Sequence, residues 1–263
     1  MPDQDNFVAI CRQAAEAGAK ELLAWRGRFS AQNKAARDFV TDADLASQGA
    51  IQAILLGKYP DHGFLGEESP DLRQLDQPFC WVVDPLDGTT NYVHDFPCFA
   101  VSIALLQEGK LQVGMILDPL KGECFSAVQG QGSFLNGQPI QVSSTESLGE
   151  SLVAVSFPPD LSENSPDLTA FLEVAPRCRA VRRTGSAALN LAYVACGRLD
   201  AHWAHQIYPW DSAAGILLVR ESGGVASACR GGEYQVADGN YCVASSETLH
   251  QELLPRITGF LSA

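Results

Sequence analysis

The sequence lacks long apolar runs. It contains no stretch of about eighteen apolar residues, the length that a helix needs to cross a bilayer. Its first five residues include two aspartates, where a secretory signal would be basic and then apolar. We therefore expect a cytoplasmic protein that has no membrane partner.

Positive side chains are scarce. The chain has 18 Lys plus Arg against 31 Asp plus Glu, which gives a formal net charge of −13. A surface of this average sign repels nucleic acid and anionic lipid, so we expect no nucleic-acid partner. An anionic substrate would need a local source of positive charge, and a cluster of bound metal ions would supply it.

The eight cysteines form no C-x-x-C pair, and no internal repeat or low-complexity tract is evident. Most of them lie in apolar runs, where cysteine behaves as a small buried hydrophobe, so we predict structural thiols. Apolar residues, in contrast, are plentiful. At 46% hydrophobic, 263 residues can build the core of one large domain or of two closely joined halves.

Hydrophobic periodicity predicts both helices and strands. Apolar residues recur at helical spacing over residues 5–25, and Thr41 is predicted to cap a second helix that stops at Gly57. Short runs rich in Val, Ile and Phe predict strands at residues 79–83, 99–107, 112–117 and 124–128.

The polar segment 143–150 is predicted to separate two halves. Beyond it, strands are predicted at 152–156 and 199–203, and helices at 167–175, 186–196, 211–221 and 247–257. This order predicts an N-terminal α+β half, residues 1–145, that carries most of the candidate metal ligands. A C-terminal α/β half, residues 146–263, would join it in one compact unit.

Carboxylates are concentrated between Tyr59 and Ala100, where eight acids accompany a single basic side chain. Asp84 ends an apolar run and Asp87 follows three residues later, so both carboxylates and the Leu86 carbonyl can face one point. Oxygen ligands of this kind are the ones that Mg²⁺ prefers. We predict that one or two metal ions bind here.

The residues that follow are suited to phosphate. Gly88 lets the backbone approach a ligand, and the free amides of a helix that starts near Thr89 can bind phosphate oxygens. The alternative interpretation is a solvated turn with an N-cap, because Asp, Gly, Thr and Asn are ordinary turn residues.

Six short motifs belong together: VTDAD at 40–44, GEES at 66–69, WVVDPLDGTTN at 81–91, GSAAL at 185–189, WDSAAG at 210–215 and ESGG at 221–224. In this order and at these separations they resemble the inositol monophosphatase family, within the lithium-sensitive, metal-dependent phosphatase superfamily. The resemblance covers nearly the whole chain. It implies a layered αβαβα sandwich of the inositol monophosphatase and fructose-1,6-bisphosphatase type, usually found as a homodimer.

The resemblance also implies a set of metal ligands. Glu67, Asp84 and the Leu86 carbonyl would hold one Mg²⁺, and Asp84, Asp87 and Asp211 a second. A third, weaker site would use Glu67 and waters, which makes two or three ions per site. Mn²⁺ would substitute, and Ca²⁺ or Li⁺ would inhibit. For Asp211 alone, a helix cap is the alternative role.

By the same resemblance, Thr89 and Glu67, with Asp44 behind them, would orient the attacking water and accept its proton. One ion would lower the pKa of that water and another would stabilise the leaving alkoxide. The substrate phosphate would lie against Asp87 and the amides of Gly88 and Thr89.

The substrate is less well defined than the reaction. Gly185, Ser186 and Ala187 match the family's substrate-side loop, although Ser186 can also serve as a helix N-cap. Inositol-preferring members carry a glutamate that contacts ring hydroxyls at the position that is Ala204 here, and losing such a contact bears on specificity. We predict hydrolysis of a small phosphorylated metabolite, myo-inositol 1-phosphate, to inositol and phosphate. The alternatives with the same chemistry are fructose 1,6-bisphosphate, histidinol phosphate, NADP and 3′-phosphoadenosine 5′-phosphate.

Two rival hypotheses come from other classes. A phosphatase with an aspartate nucleophile uses a D-x-D-G-T motif, but the spacing from Asp84 to Asp87 is one residue too long. A non-catalytic or moonlighting regulator would bind a protein partner through the same fold. Among the histidines, we expect His62 and His250 at the surface, and His202 and His205 near the substrate.

Overall fold

A computed structural model describes residues 4–35, 38–158, 161–205, 207–238 and 240–258. Its helices are α1 Gln4–Trp25, α2 Asp42–Lys58, α3 Thr89–Val93, α4 Pro166–Val174, α5 Ala187–Ala195, α6 Pro209–Glu221 and α7 Glu247–Thr258. Its first strands are β1 Ala31–Ala35, β2 Asp38–Thr41, β3 Gly63–Gly66, β4 Phe79–Asp87, β5 Ala100–Gln107, β6 Lys110–Asp118 and β7 Glu123–Val128. The remaining strands are β8 Gly132–Leu135, β9 Gln138–Ile140, β10 Leu152–Ser156, β11 Ala180–Arg182, β12 Ala201–Ala204, β13 Val225–Ser227 and β14 Tyr241–Ala244.

The elements stack in five layers. A seven-stranded sheet has the order β3-β4-β5-β6-β7-β8-β9, and a five-stranded sheet has the order β11-β10-β12-β14-β13. Helices α1 and α2 cover the outer face of the larger sheet, α5 and α6 lie between the sheets, and α4 and α7 cover the smaller sheet. The predicted αβαβα sandwich is therefore confirmed.

The core follows the two-residue period of the strands. In β4, Trp81 and Val83 pack toward α1 and α2, while Cys80 and Val82 pack toward the layer of α5 and α6. Both faces of the strand are buried, which explains why its sequence is a continuous apolar run. The central sheet therefore holds its loops between two hydrophobic cores.

The long periodic helices and the apolar strands were predicted to within a few residues. Thr41 caps α2 as predicted: its hydroxyl accepts from the amide of Ala43, 3.1 Å away. Short strands such as β3, β11, β13 and β14 were not predicted, because three or four residues carry too little periodicity. The division into halves at residue 145 stays a prediction, and that position lies between the strands of the two sheets.

All eight cysteines are free thiols, and six of them are buried, in agreement with the structural role predicted for them. Within the described ranges, no helix combines the length and the apolar character that crossing a membrane requires.

Candidate active site

A β-bulge brings two acids to one face of the sheet. Side chains alternate along a strand, so residues three apart, such as Asp84 and Asp87, would normally point to opposite faces. In β4, however, Asp84 pairs with Ser102 and Asp87 pairs with Ala100, so three steps on this strand oppose two steps on β5. The extra residue restores both carboxylates to the same side. The strand predicted to end at residue 83 therefore continues through Asp87.

Asp211 joins these acids from the other half of the chain. It lies in the first turn of α6, where its carboxylate accepts the backbone N–H of Tyr208 at 2.7 Å. The helix-capping role and the predicted metal role are therefore compatible. Asp84, Asp87 and Asp211 each offer a carboxylate oxygen, and these oxygens lie within 4.8 Å of one another.

Glu67 approaches the cluster from the neighbouring strand. It follows the end of β3, and its backbone N–H donates to the Val83 carbonyl at 3.1 Å, which extends the pairing of β3 with β4. Its carboxyl group hydrogen-bonds with that of Asp84. Four carboxyl groups thus line one end of a shared cavity.

Burial raises the pKa values of Asp84 and Asp87, the two acids of β4, and repulsion from neighbouring acids adds to the effect at Asp84. Asp84 is 1% exposed, and burial, followed by the charges of Glu67, Asp87 and Asp211, raises its pKa well above the ordinary value. Burial also raises the pKa of Asp87, to about 6, although hydrogen bonds from Ser186 and nearby amides oppose the shift. Buried acids at such short separations are stabilised as anions only when positive charge is supplied.

The residues present fit divalent cations. The donors are hard oxygens and include Asp84, Asp87, Asp211 and Glu67, with no competing sulfur or imidazole ligand among them. This set is the one expected for Mg²⁺, which takes one or two carboxylates and completes its shell with water and substrate phosphate. The structure thus contains an acidic cluster whose oxygen donors suit a divalent metal ion.

The turn after the bulge requires glycine. Gly88 has φ +93°, and a Cβ there would lie 2.9 Å from the carbonyl oxygen of Cys98 and 3.3 Å from that of Gly185. The turn opens into α3, and Asn91 holds it by donating to the carbonyls of Cys98 at 2.7 Å and Thr184 at 2.9 Å. The predicted glycine turn is therefore packed directly against the loop that precedes α5.

Thr89 and Asp44 form a hydrogen-bonded pair beside this turn. The Thr89 hydroxyl lies 3.2 Å from Asp44 Oδ1 and 3.0 Å from the Leu86 carbonyl oxygen, both of which accept. Asp44 is fully buried, and its other oxygen accepts from the amide and the hydroxyl of Thr41 at 2.8 and 2.6 Å. The capping box of α2 therefore fixes the acid that faces Thr89.

Helix α5 holds Asp87 from the opposite half. The amides of Ala187 and Ala188 donate to the two Asp87 oxygens, each at 3.1 Å, and the Ser186 hydroxyl donates to Asp87 Oδ2. Ser186 also caps α5, as the alternative interpretation predicted. The partial positive charge at the start of this helix favours the ionised form of Asp87.

The cavity has a volume of about 460 Å³ and is lined from both halves. Gly88, Thr89, Gly185 and Ala187 are all part of the lining, but Ser186 is fully buried and does not line it. The observed contact of Ser186 is with Asp87, and its substrate contact stays a prediction.

Sequence reasoning missed the remaining walls of the cavity. They include Phe157, Ile207, Tyr208 and Arg183, whose guanidinium carbon lies 5.6 Å from the centroid of the Phe157 ring. Arg183 is the one basic side chain that the described lining contains. Its place just before the GSAAL motif, in a chain poor in positive charge, was an available signal.

Several expectations about histidines are wrong. His250 is 6% exposed rather than at the surface, and it hydrogen-bonds with Ser227 at 2.7 Å. His62, in contrast, is half-buried, so part of it lies at the surface, and its ring stacks on Phe79. His202 and His205 are buried and do not line the cavity, because they point into the layers behind it.

Ala204 also lies away from the cavity. It is fully buried in the core between the sheets, because the alternation of β12 directs it toward α5 and α6. The position to which the family resemblance assigns an inositol-contacting glutamate therefore does not line this cavity.

Comparison with known proteins agrees with the motifs. The model of the inositol monophosphatase family matches residues 3–259. An inositol-1-monophosphatase from Synechocystis is 41% identical over 257 residues, which covers 95% of this chain and 88% of that protein. The Nus factor SuhB of Escherichia coli is 40% identical over 236 residues, covering 88% of this chain and 87% of that protein.

A solved structure shows the same arrangement of the chain. The inositol monophosphatase from Anabaena superposes with a TM-score of 0.86 at 36% identity, covering 97% of this chain and 96% of that chain. The match of sequence, fold and acidic cluster leads to one conclusion: this chain belongs to the inositol monophosphatase family and is a phosphomonoester hydrolase.

Proposed function

We propose that the chain hydrolyses myo-inositol 1-phosphate to inositol and phosphate. The observation that carries the proposal is the convergence of Asp84, Asp87 and Asp211 from both halves in one cavity, next to the glycine turn at Gly88. The name of the Synechocystis relative supports inositol phosphate as the substrate. The family resemblance supports a homodimer, which light scattering on the purified protein would test.

The metal ligands of this proposal are Glu67, Asp84, the Leu86 carbonyl, Asp87 and Asp211, holding two or three Mg²⁺ ions. Bound Mg²⁺ would supply positive charge that polarises the phosphate and lowers the pKa of the attacking water. We expect Mn²⁺ to substitute, because it accepts the same oxygen donors, and Ca²⁺ or Li⁺ to inhibit.

The chain's own groups would position the reactants. The amides of Gly88 and Thr89 would bind phosphate oxygens at the start of α3, because the turn leaves them without helical partners. Gly185 and Ala187 would lie against the substrate from the second half, where their small side chains permit close approach. Ser186 and the start of α5 would hold Asp87 in the orientation that binds the metal ion and the substrate.

Proton movement would use Thr89 and Glu67. When the Thr89 hydroxyl donates to Asp44 Oδ1, its oxygen is available to accept a hydrogen bond from the water and so to orient it. Glu67 would orient the same water and take up its proton. Asp44 acts through Thr89, since it is fully buried.

A phosphate-release panel tests the substrate. We expect inositol 1-phosphate to have the highest kcat/KM in Mg²⁺, compared with fructose 1,6-bisphosphate, histidinol phosphate, NADP and 3′-phosphoadenosine 5′-phosphate. Chelation of Mg²⁺ is expected to stop release. A preference of about tenfold or more for another member, equivalent to about 1.4 kcal/mol in the barrier, would contradict the proposed substrate.

A second candidate function is regulation through a protein partner. The observation that favours it is the name Nus factor carried by a relative 40% identical to this chain. Asp84→Asn removes a central carboxylate without changing the outer surface. If capture of a cellular partner survives this substitution while phosphate release is lost, the two roles are separate.

A further inference from the structure

Two loops form one wall of the cavity, and we call them the wall loops. The first follows β10 and contributes Phe157, Pro158 and Leu161; the second follows β12 and contributes Ile207 and Tyr208. Strands β10 and β12 are parallel neighbours, so both loops leave the sheet at the same edge. None of these five residues supplies a carboxylate, so this wall faces the part of a substrate that the metal cluster does not hold.

A buried pair of side chains joins the wall loops behind the cavity. His205 directly follows β12, and its Nδ1 lies 2.8 Å from Oδ1 of Asp167 in the first turn of α4. The hydroxyl of Ser165, the residue that caps α4, donates to Asp167 Oδ2 at 3.0 Å. His205 is 3% exposed and Asp167 is fully buried, and neither lines the cavity.

The contact between His205 and Asp167 is shielded from water, which therefore cannot take the place of either partner. Within the described residues, Nε2 of His205 is buried without a hydrogen-bond partner, so Asp167 alone orients the ring through a polar contact. Losing one partner of a buried imidazole–carboxylate contact leaves the other without compensation. This contact therefore ties the start of the second wall loop to the helix that follows the first.

We call the part of the cavity lined by the four acids and the Gly88 turn the reacting end, and different contacts hold it. Ser186 and α5 hold Asp87, and Thr41 holds Asp44. The link between the two ends is the backbone N–H of Tyr208, which donates to Asp211 within the first turn of α6. Movement of the wall loops should thus affect substrate binding more than the acidic cluster.

We infer that His205 and Asp167 are positioning residues for the alcohol half of the substrate. They hold the wall loops at the spacing that the alcohol half of the substrate requires. Neither side chain contacts the substrate. The inference rests on the proposed function, but it holds for whichever phosphomonoester of the panel is the best substrate.

Steady-state kinetics separate this role from a general structural one. His205→Ala is expected to raise KM about tenfold. Inorganic phosphate would occupy only the reacting end of the cavity, so its inhibition constant should change less than about twofold. His205→Asn should restore KM, because its amide nitrogen takes a place close to that of Nδ1 and donates to Asp167. His250→Ala is the matched control, since His250 is another buried histidine with one hydrogen-bonded partner, and its KM should stay at the wild-type value.

Several outcomes would overturn the inference. An equal rise in KM and in the phosphate inhibition constant would show that the pair supports the whole site, and an unchanged KM would show that it positions nothing. If His205→Ala does not fold, Asp167→Leu decides: it keeps the shape and removes the acceptor of the contact, and its KM must rise with the phosphate constant unchanged. A wild-type protein that is inactive on inositol 1-phosphate but active on another panel member contradicts the proposed substrate alone.

Discussion

The Ser186 hydroxyl donates a hydrogen bond to Asp87, although the two residues are 99 positions apart: Asp87 ends a strand of the larger sheet, and Ser186 lies between β11 and α5. The contact joins the start of α5 to the bulge at the end of β4. A candidate metal ligand from one half of the chain is thus oriented by the other half.

Replacing Asp87 by asparagine should remove turnover. Both oxygens of Asp87 accept hydrogen bonds. Loss of its negative charge would weaken the binding of the cation next to the substrate phosphate. We expect kcat to fall by at least about 10²-fold in saturating Mg²⁺. Near-normal turnover of this variant would contradict the assignment.

The control for that variant is Asp118→Asn. Asp118 is also buried, at 1% exposure, and binds Lys121 at 2.6 Å, but it does not line the cavity. Its replacement should lower the melting temperature while kcat stays within about threefold of the wild-type value.

Removing the Ser186 hydroxyl should weaken both a helix and a metal site. Ser186→Ala loses an N-cap, which costs about 1 kcal/mol of unfolding free energy. It also frees Asp87 from one donor, so the Mg²⁺ concentration at half-maximal activity should rise about tenfold. Ser246→Ala removes a comparable bond, to the amide of Leu249, at the start of α7 and should leave the Mg²⁺ requirement unchanged.

Stabilisation by Mg²⁺ should grow with pH. Between the ordinary pKa of 3.8 and the folded value of about 6, Asp87 keeps its proton only in the folded state. The metal-free protein therefore loses stability as pH rises through this window, and burial gives Asp84 the same sign. Bound Mg²⁺ favours the ionised acids and opposes this loss.

The measurement is the difference in melting temperature between Mg²⁺ and a chelator at each pH. It should increase from about pH 4 to above pH 6, since cation binding must displace fewer protons at higher pH. A difference in melting temperature that is constant over this range would mean that Mg²⁺ binding is not coupled to deprotonation of these acids.

Thr89 should be required for the chemical step through its hydroxyl. Thr89→Val preserves the shape and removes the group that donates to Asp44, so kcat should fall about 10²-fold with little change in KM. Thr89→Ser keeps the hydroxyl and should recover most of kcat. Equal activities of the two variants would exclude a role for the hydroxyl.

Gly88→Ala should destabilise the protein because of a steric clash with backbone. Gly88 and Gly109 both have positive φ, +93° and +73°, but only at Gly88 would a Cβ meet other atoms, with the Cys98 carbonyl at 2.9 Å. We expect Gly88→Ala to cost about 1–3 kcal/mol more unfolding free energy than Gly109→Ala. Chemical denaturation of the two variants would measure the difference, and equal costs would argue against the close packing of this turn.

The family, the reaction class and most of the long elements could be predicted from the sequence alone. These depend on short motifs, each built from neighbouring residues, on the helical periodicity of α1 and on the continuous apolar run of β4. The acids at Asp84 and Asp87 could be proposed as partners because they are neighbours in the chain. Their placement on one face needed the bulge, which depends on the register with β5.

The way in which the two halves of the chain complete the site depends on the tertiary structure and could not be predicted from the sequence. The contact of Ser186 with Asp87, the wall formed by Phe157 and Tyr208, and the buried pair of His205 and Asp167 all join segments that are distant in sequence. No local pattern encodes such contacts, because they arise from the path of the chain and from the packing of layers. For the same reason Ala204 and His202, near the site along the sequence, are buried in the core instead.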